Sequence, residues 1–91
     1  MEMTIDQLIK SAEAGDRESQ YDLAYKYRYG KGVTQDLESA VFWFKKAAAQ
    51  GHVDATYMVG LAYQGGKGVT KDTVEAIRYF YKAAFLRLPQ E

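Results

Sequence analysis

Cysteine is absent from the 91 residues, and with it go disulfides, thiolate chemistry and cysteine-bound metals, so the fold must hold by packing alone. Net charge is absent as well: twelve Lys and Arg balance twelve Asp and Glu. The balance is also local, with seven basic and eight acidic groups in residues 1–50 and five and four in residues 51–91. A binder of nucleic acid or of an anionic membrane would carry a basic surplus or stripe, so neither partner is expected. No apolar run comes near the ~18 residues of a spanning helix. The start, Met1-Glu2-Met3-Thr4-Ile5-Asp6, has neither the basic beginning nor the apolar centre of a signal peptide, which makes the cytoplasm the expected location. Histidine occurs once, at His52. Without a clustered acid or thiol it makes neither a metal site nor a catalytic triad, and it is expected to be an exposed turn residue.

What the chain does contain is a loop written twice. Tyr29-Gly30-Lys31-Gly32-Val33-Thr34-Gln35-Asp36 returns thirty-six positions later as Gly65-Gly66-Lys67-Gly68-Val69-Thr70-Lys71-Asp72. The whole sequence superposes on itself at that offset without a gap: Gly15 falls on Gly51, Tyr21 on Tyr57, Tyr27 on Tyr63, Ala40 on Ala76, Phe44 on Phe80, and Lys46-Ala47-Ala48 on Lys82-Ala83-Ala84. Leu23 with Val59, Ala24 with Gly60, Val41 with Ile77 and Trp43 with Tyr79 keep size or shape. A fixed period of this length marks a repeat architecture.

Apolar spacing inside each unit is helical. Residues 18–29 place Ser19, Leu23, Ala24 and Tyr27 on one face, as Ala55, Val59, Gly60 and Tyr63 do one period on. Residues 37–50 align Leu37, Ala40, Val41, Phe44, Ala47 and Ala48, echoed by Ala76, Ile77, Phe80, Ala83 and Ala84. Gly30 and Gly66 can take the left-handed conformation that ends a helix, and Asp36 and Asp72 can cap the next, with Glu75 placed to close a capping box. Gly32 and Gly68 complete the two turns, and Val33 and Val69 are expected to plug the groove between the paired helices. The small pair Ala24/Gly60 suggests close helix approach, since a mid-helix glycine costs about 1 kcal/mol and needs a reason. Residues 4–14 form one more helix, a second helix without a first. The expectation is an all-α domain over 1–91, a short solenoid of antiparallel helix pairs: a half-unit (4–15), unit one (16–51) and unit two (52–87).

The residues that recur also carry a family likeness. Leu23, Ala24, Tyr27, Gly30-Lys31-Gly32-Val33, Asp36, Ala40, Trp43, Ala47-Ala48 and Gln50-Gly51, followed by Val59-Gly60, Tyr63, Gly66-Lys67-Gly68-Val69, Asp72, Ala76, Tyr79 and Ala83-Ala84, resemble the Sel-one-like repeat, a relative of the tetratricopeptide repeat. The resemblance spans about four-fifths of the chain. It implies a right-handed superhelix of helix pairs, an adaptor or scaffold that binds a protein on its concave face, and a structural role for Trp43 and Tyr79. Secreted relatives staple their units with cysteines, so a chain without any resembles the intracellular branch. Bacterial relatives also include specialised inhibitors, which makes a toxin-neutralising immunity protein an alternative reading.

No enzymatic or cofactor chemistry is expected. Gly30-Lys31 and Gly66-Lys67 lack the upstream glycine of a phosphate loop, with Tyr25 and Leu61 in its place, and neither lysine precedes Ser or Thr. Asp36 and Asp72 read as caps rather than as an acid–base pair. The candidate partner site is the other face of the first helix, where Asp22, Tyr25, Lys26 and Tyr29 lie at i, i+3, i+4 and i+7, extended by Met58 and Leu61. The alternative is that Tyr25 and Tyr29 pack on the amino-terminal helix. Phe85, Leu86 and Leu88 lie where unit one has Ala49, Gln50 and His52. They either fold back as a cap or meet another molecule, a homodimer or a self-assembling array being the self-association readings.

Overall fold

Residues 3–89 are described by the computed structural model. They form five helices joined by short turns: α1 (Ile5–Glu13), α2 (Arg17–Tyr29), α3 (Leu37–Ala49), α4 (Val53–Gly65) and α5 (Thr73–Arg87). Each helix packs on its neighbour in sequence, α1 on α2, α2 on α3, α3 on α4 and α4 on α5. The result is an all-α helical repeat solenoid.

The two repeated loops have the same backbone. Gly30 and Gly66 both cap their helices at φ 66°, ψ 40°. In each loop the next N–H reaches back a helical turn, Lys31 to the Lys26 carbonyl and Lys67 to the Ala62 carbonyl, both at 2.9 Å, so the orphan carbonyls at the helix end are satisfied. Asp36 N–H then donates to the Tyr27 carbonyl at 2.9 Å and Asp72 N–H to the Tyr63 carbonyl at 3.0 Å, which brings the chain back antiparallel. A phosphate cradle would need these donors and those at the α3 start free. The Asp36 carboxylate already accepts from the Ser39 N–H (3.1 Å) and hydroxyl (2.8 Å).

Two capping expectations need correction. Asp72 accepts from the Glu75 N–H at 3.1 Å, but the Glu75 carboxylate does not return the bond. The Asp72 N–H is already committed to Tyr63, and Glu75 faces Arg78 at 3.7 Å. A reciprocal capping box stands instead at Thr4 and Gln7. His52 is no exposed turn residue either: it is 8% exposed and caps α4, its Nδ1 accepting from the Ala55 N–H at 3.1 Å. One period earlier Asp16 does the same for α2.

Two apolar clusters lie between the helices. Leu8, Ala12 and Leu23 join α1 to α2. Ala24, Ala40, Phe44, Ala47, Ala48, Ala55 and Val59 join α2, α3 and α4. The close approach suggested by Gly60 is real: a Cβ there would lie 2.6 Å from Phe80 Cε1. Phe80 itself is only half-buried, because α5 packs mainly on α4 and has no described helix on its far side.

Polar groups knit the units together where apolar residues are small. Buried Gln20 donates from Nε2 to the Ala12 carbonyl at 3.0 Å, and Gln50 Nε2 reaches the Gly15 carbonyl at 2.8 Å and Gln20 Oε1 at 2.9 Å. Between α3, α4 and α5, Lys45 donates to the Tyr63 hydroxyl at 2.7 Å, and Tyr63 stacks on Tyr79 at 5.8 Å. That bond holds the Lys45 ammonium above its usual pKa.

Candidate protein-binding face

The repeat explains why α2 has a second face at all. Leu23 and Ala24 are fully buried against α1 and α3, and helical spacing turns Asp22, Tyr25 and Tyr29 outward. Tyr25 and Tyr29 are 38% and 49% exposed, so α1 does not cover them. Their rings lie 4.7 Å apart, and Tyr21 continues the row at 6.4 Å from Tyr25. Beyond Tyr21, the His52 ring stacks at 4.5 Å with planes 15° apart. The outcome is an aromatic ladder along α2: His52, Tyr21, Tyr25 and Tyr29.

Charges of both signs flank the ladder. Lys31 Nζ sits 5.8 Å from the Tyr25 ring centre and the Arg28 guanidinium 5.5 Å from that of Tyr29, within cation–π range. On the other side, Glu18 Oε2 lies 3.0 Å from His52 Nε2. Partial burial, reinforced by Glu18, raises the Asp22 carboxyl above its ordinary pKa, against the pull of Lys26. Burial and then Asp54 raise Tyr21.

Three of the six expected contact residues come together. Asp22, Tyr25 and Lys26 line a groove of about 610 Å³ with Leu8, Glu18 and Lys31, and Tyr29 adjoins it through its contact with Tyr25. Met58 and Leu61 do not belong to it. Met58 is half-buried against the main core cluster, and Leu61 lines a separate groove of about 410 Å³ with Tyr57, Phe80 and Arg87. A smaller cleft of about 320 Å³ lies between Tyr21, Asp22, His52 and Asp54. Sequence reasoning missed Tyr21, although its place four residues before Tyr25 was a usable signal. It also missed His52 and Glu18, which lie in different units and carry no local sign of their contact.

At the other end of the chain, Phe85 is 64% and Leu88 57% exposed, whereas Leu86 is half-buried on the inner side of α5. Among the described residues no group of three or more His, Cys, Asp and Glu side chains could hold a metal ion. No described helix is long and apolar enough to cross a membrane.

Comparison with known proteins places this geometry. The Sel1 repeat family model matches residues 17–52 and again 53–84. A Sel1 repeat protein of Oxalobacter formigenes superposes with TM-score 0.89 at 37% identity, over 92% of this chain and 63% of that one. A protective antigen of uropathogenic Escherichia coli with the SLR fold gives 0.89 at 40% identity, over 98% and 19%. The cysteine rich protein B of Helicobacter pylori gives 0.86 at 30%, over 92% and 63%. Among curated proteins, the secretory immunoglobulin A-binding protein EsiB of Escherichia coli is 41% identical over 45 residues, half of this chain and 9% of that protein. The chain spans less than two thirds of the length of each of these relatives.

Proposed function

The chain belongs to the Sel1 repeat family, whose members generally serve as protein-interaction modules, and from that premise we propose that it binds a protein partner along the tyrosine ladder of α2. Asp22, Tyr25, Lys26 and Tyr29 form the centre of the contact. The observation that carries the reading is that these positions escape the period. Tyr25, Lys26 and Tyr29 become Leu61, Ala62 and Gly65 one repeat on, while the stacking residues beside them repeat. Rigid tyrosines with polar tips, flanked by Lys31, Arg28 and Asp22, offer the kind of contact on which binding energy concentrates.

Asp22 adds a chemical preference. A partner that lays a lysine or arginine in the groove would pair with a carboxylate that partial burial has deprived of some of its solvation. The work is recognition rather than catalysis.

Capture of partners by immobilised protein tests this reading, with secretory immunoglobulin A, which the relative EsiB binds by its name, as the first probe and proteins of the source cell as the second. Truncating an aromatic anchor costs about 2 kcal/mol or more. Tyr25→Ala with Tyr29→Ala is therefore expected to weaken capture more than tenfold while the helical circular dichroism and the thermal midpoint stay near wild type. A folded double variant that retains every partner would refute the α2 site.

A further inference from the structure

The outer surface of α5 carries the largest run of exposed apolar side chains in the described chain. Val74 is 62% exposed, Ile77 48%, Tyr81 74%, Phe85 64% and Leu88 57%. At about 100° per residue, the five fall within an arc of about 80°, a single narrow stripe. No charged side chain interrupts it, and Ile77 and Tyr81 line a shallow apolar cleft with Phe80 and Ala84.

This is the face that, on α3, receives the next unit. Val41, the counterpart of Ile77, is buried where the second loop arrives: a Cβ on Gly68 would lie 3.0 Å from its Cγ2. The stripe on α5 is nevertheless not a copy of α3. Val74, Tyr81 and Phe85 stand where α3 has Glu38, Lys45 and Ala49, two charged groups and a methyl exchanged for larger apolar surface. The turn into a further unit is also rewritten. Gly51 at φ 80° and the capping His52 are replaced by Arg87 and Leu88, and Leu88 leaves the helix extended at φ −70°, ψ 146°. The glycine and the capping histidine that join units one and two are therefore not repeated after α5.

Spacing identifies what covers the stripe instead. The five positions are symmetric about Tyr81: Val74 and Leu88 lie seven residues to either side, Ile77 and Phe85 four. We propose that α5 packs antiparallel on α5 of a second copy, across a twofold axis at Tyr81. In that arrangement Tyr81 meets its twin, Ile77 meets Phe85 of the other copy, and Val74 meets its Leu88. A patch that is its own complement is what a twofold interface requires. The stripe exposes on the order of 500 Å² per copy, taking a whole aromatic side chain as ~150–250 Å², more than half of the ~800 Å² per partner of a specific interface. A head-to-tail array is the poorer match, because the amino-terminal end presents exposed Asp6, Gln7, Lys10 and Glu13 on α1. Leu86 takes no part, being turned inward. The surface is distinct from the ladder on α2, so the dimer leaves that face free.

Single cysteines test the axis directly, since the chain has none of its own. Light scattering at micromolar concentration is expected to give a dimer for the wild type and a monomer of near-native helicity for Tyr81→Glu. Under mild oxidation Tyr81→Cys is expected to form a covalent dimer, because a disulfide needs Cα atoms within about 7 Å. Val74→Cys alone is expected not to, since the two copies of that residue would sit about 20 Å apart at 1.5 Å per residue. Val74→Cys combined with Leu88→Cys is expected to cross-link. A wild type that stays monomeric, or a Val74→Cys that links as readily as Tyr81→Cys, overturns the proposal.

Discussion

Gly32 and Gly68 hold the same place in the two loops, yet a methyl group added to each meets different surroundings. Both have positive φ, 77° and 84°, so alanine at either carries the left-handed penalty of about 1–2 kcal/mol. At Gly32 the new Cβ would lie 3.5 Å from the Ile5 side chain, an ordinary contact. At Gly68 it would run into the Leu37 carbonyl, with the carbonyl carbon at 2.6 Å and Val41 Cγ2 at 3.0 Å. The Leu37 carbonyl belongs to the first turn of α3 and cannot swing aside as a flexible side chain could, so an overpacking term of about 1–3 kcal/mol is added. Gly32→Ala should then lose about 1–2 kcal/mol and Gly68→Ala about 2–5 kcal/mol. With urea slopes of about 1–3 kcal/mol/M for small proteins, the two midpoints should separate by roughly 1 M. Equilibrium urea unfolding, followed by far-ultraviolet circular dichroism, reads this difference. Coincident midpoints would show that the second loop does not rest on the α3 backbone.

Valine at Gly30 or Gly66 should destabilise by about 1–2 kcal/mol, and nearly equally at the two sites, because each Cβ would meet a neighbouring side-chain Cβ at 3.3 Å; urea midpoints that differ widely would break the equivalence. His52→Ala should lose about 1 kcal/mol for the cap and more for the Tyr21 stack, whereas His52→Asp restores the cap that Asp16 makes in unit one; thermal unfolding of both variants checks the order. Hydrogen bonds to Ser19 hold Asp16, and those to Ser39 hold Asp36, below the ordinary carboxyl value of 3.8. Both groups bind fewer protons folded than unfolded near that pH, so their stabilisation is present above it and lost as pH falls through the folded values. Thermal midpoints measured from about pH 5 down to about pH 2 should decline less steeply for Asp36→Asn than for wild type, and parallel curves would remove Asp36 from that account.

The period, the five helices, the loop hinges and the caps that flank the two repeated loops were legible in the sequence, because each depends on groups only a few residues apart. Gly30 ends α2 through bonds to Lys26, and Asp36 starts α3 through bonds to Ser39. The outward position of Asp22, Tyr25 and Tyr29 was legible for the same reason, as a consequence of helical spacing beside buried Leu23 and Ala24. Tertiary structure decided what happens where one unit meets the next. His52 is buried because Tyr21 and Glu18 of the preceding unit close over it. Gly68 lies against the α3 backbone, whereas Gly32 lies only against Ile5. Met58 is drawn into the core and Leu61 into a groove with Phe80, away from the ladder they were expected to extend. A thirty-six-residue period states that units stack, but the rotation and offset between them follow from how side chains of two units fill shared space, and no local stretch of sequence carries that.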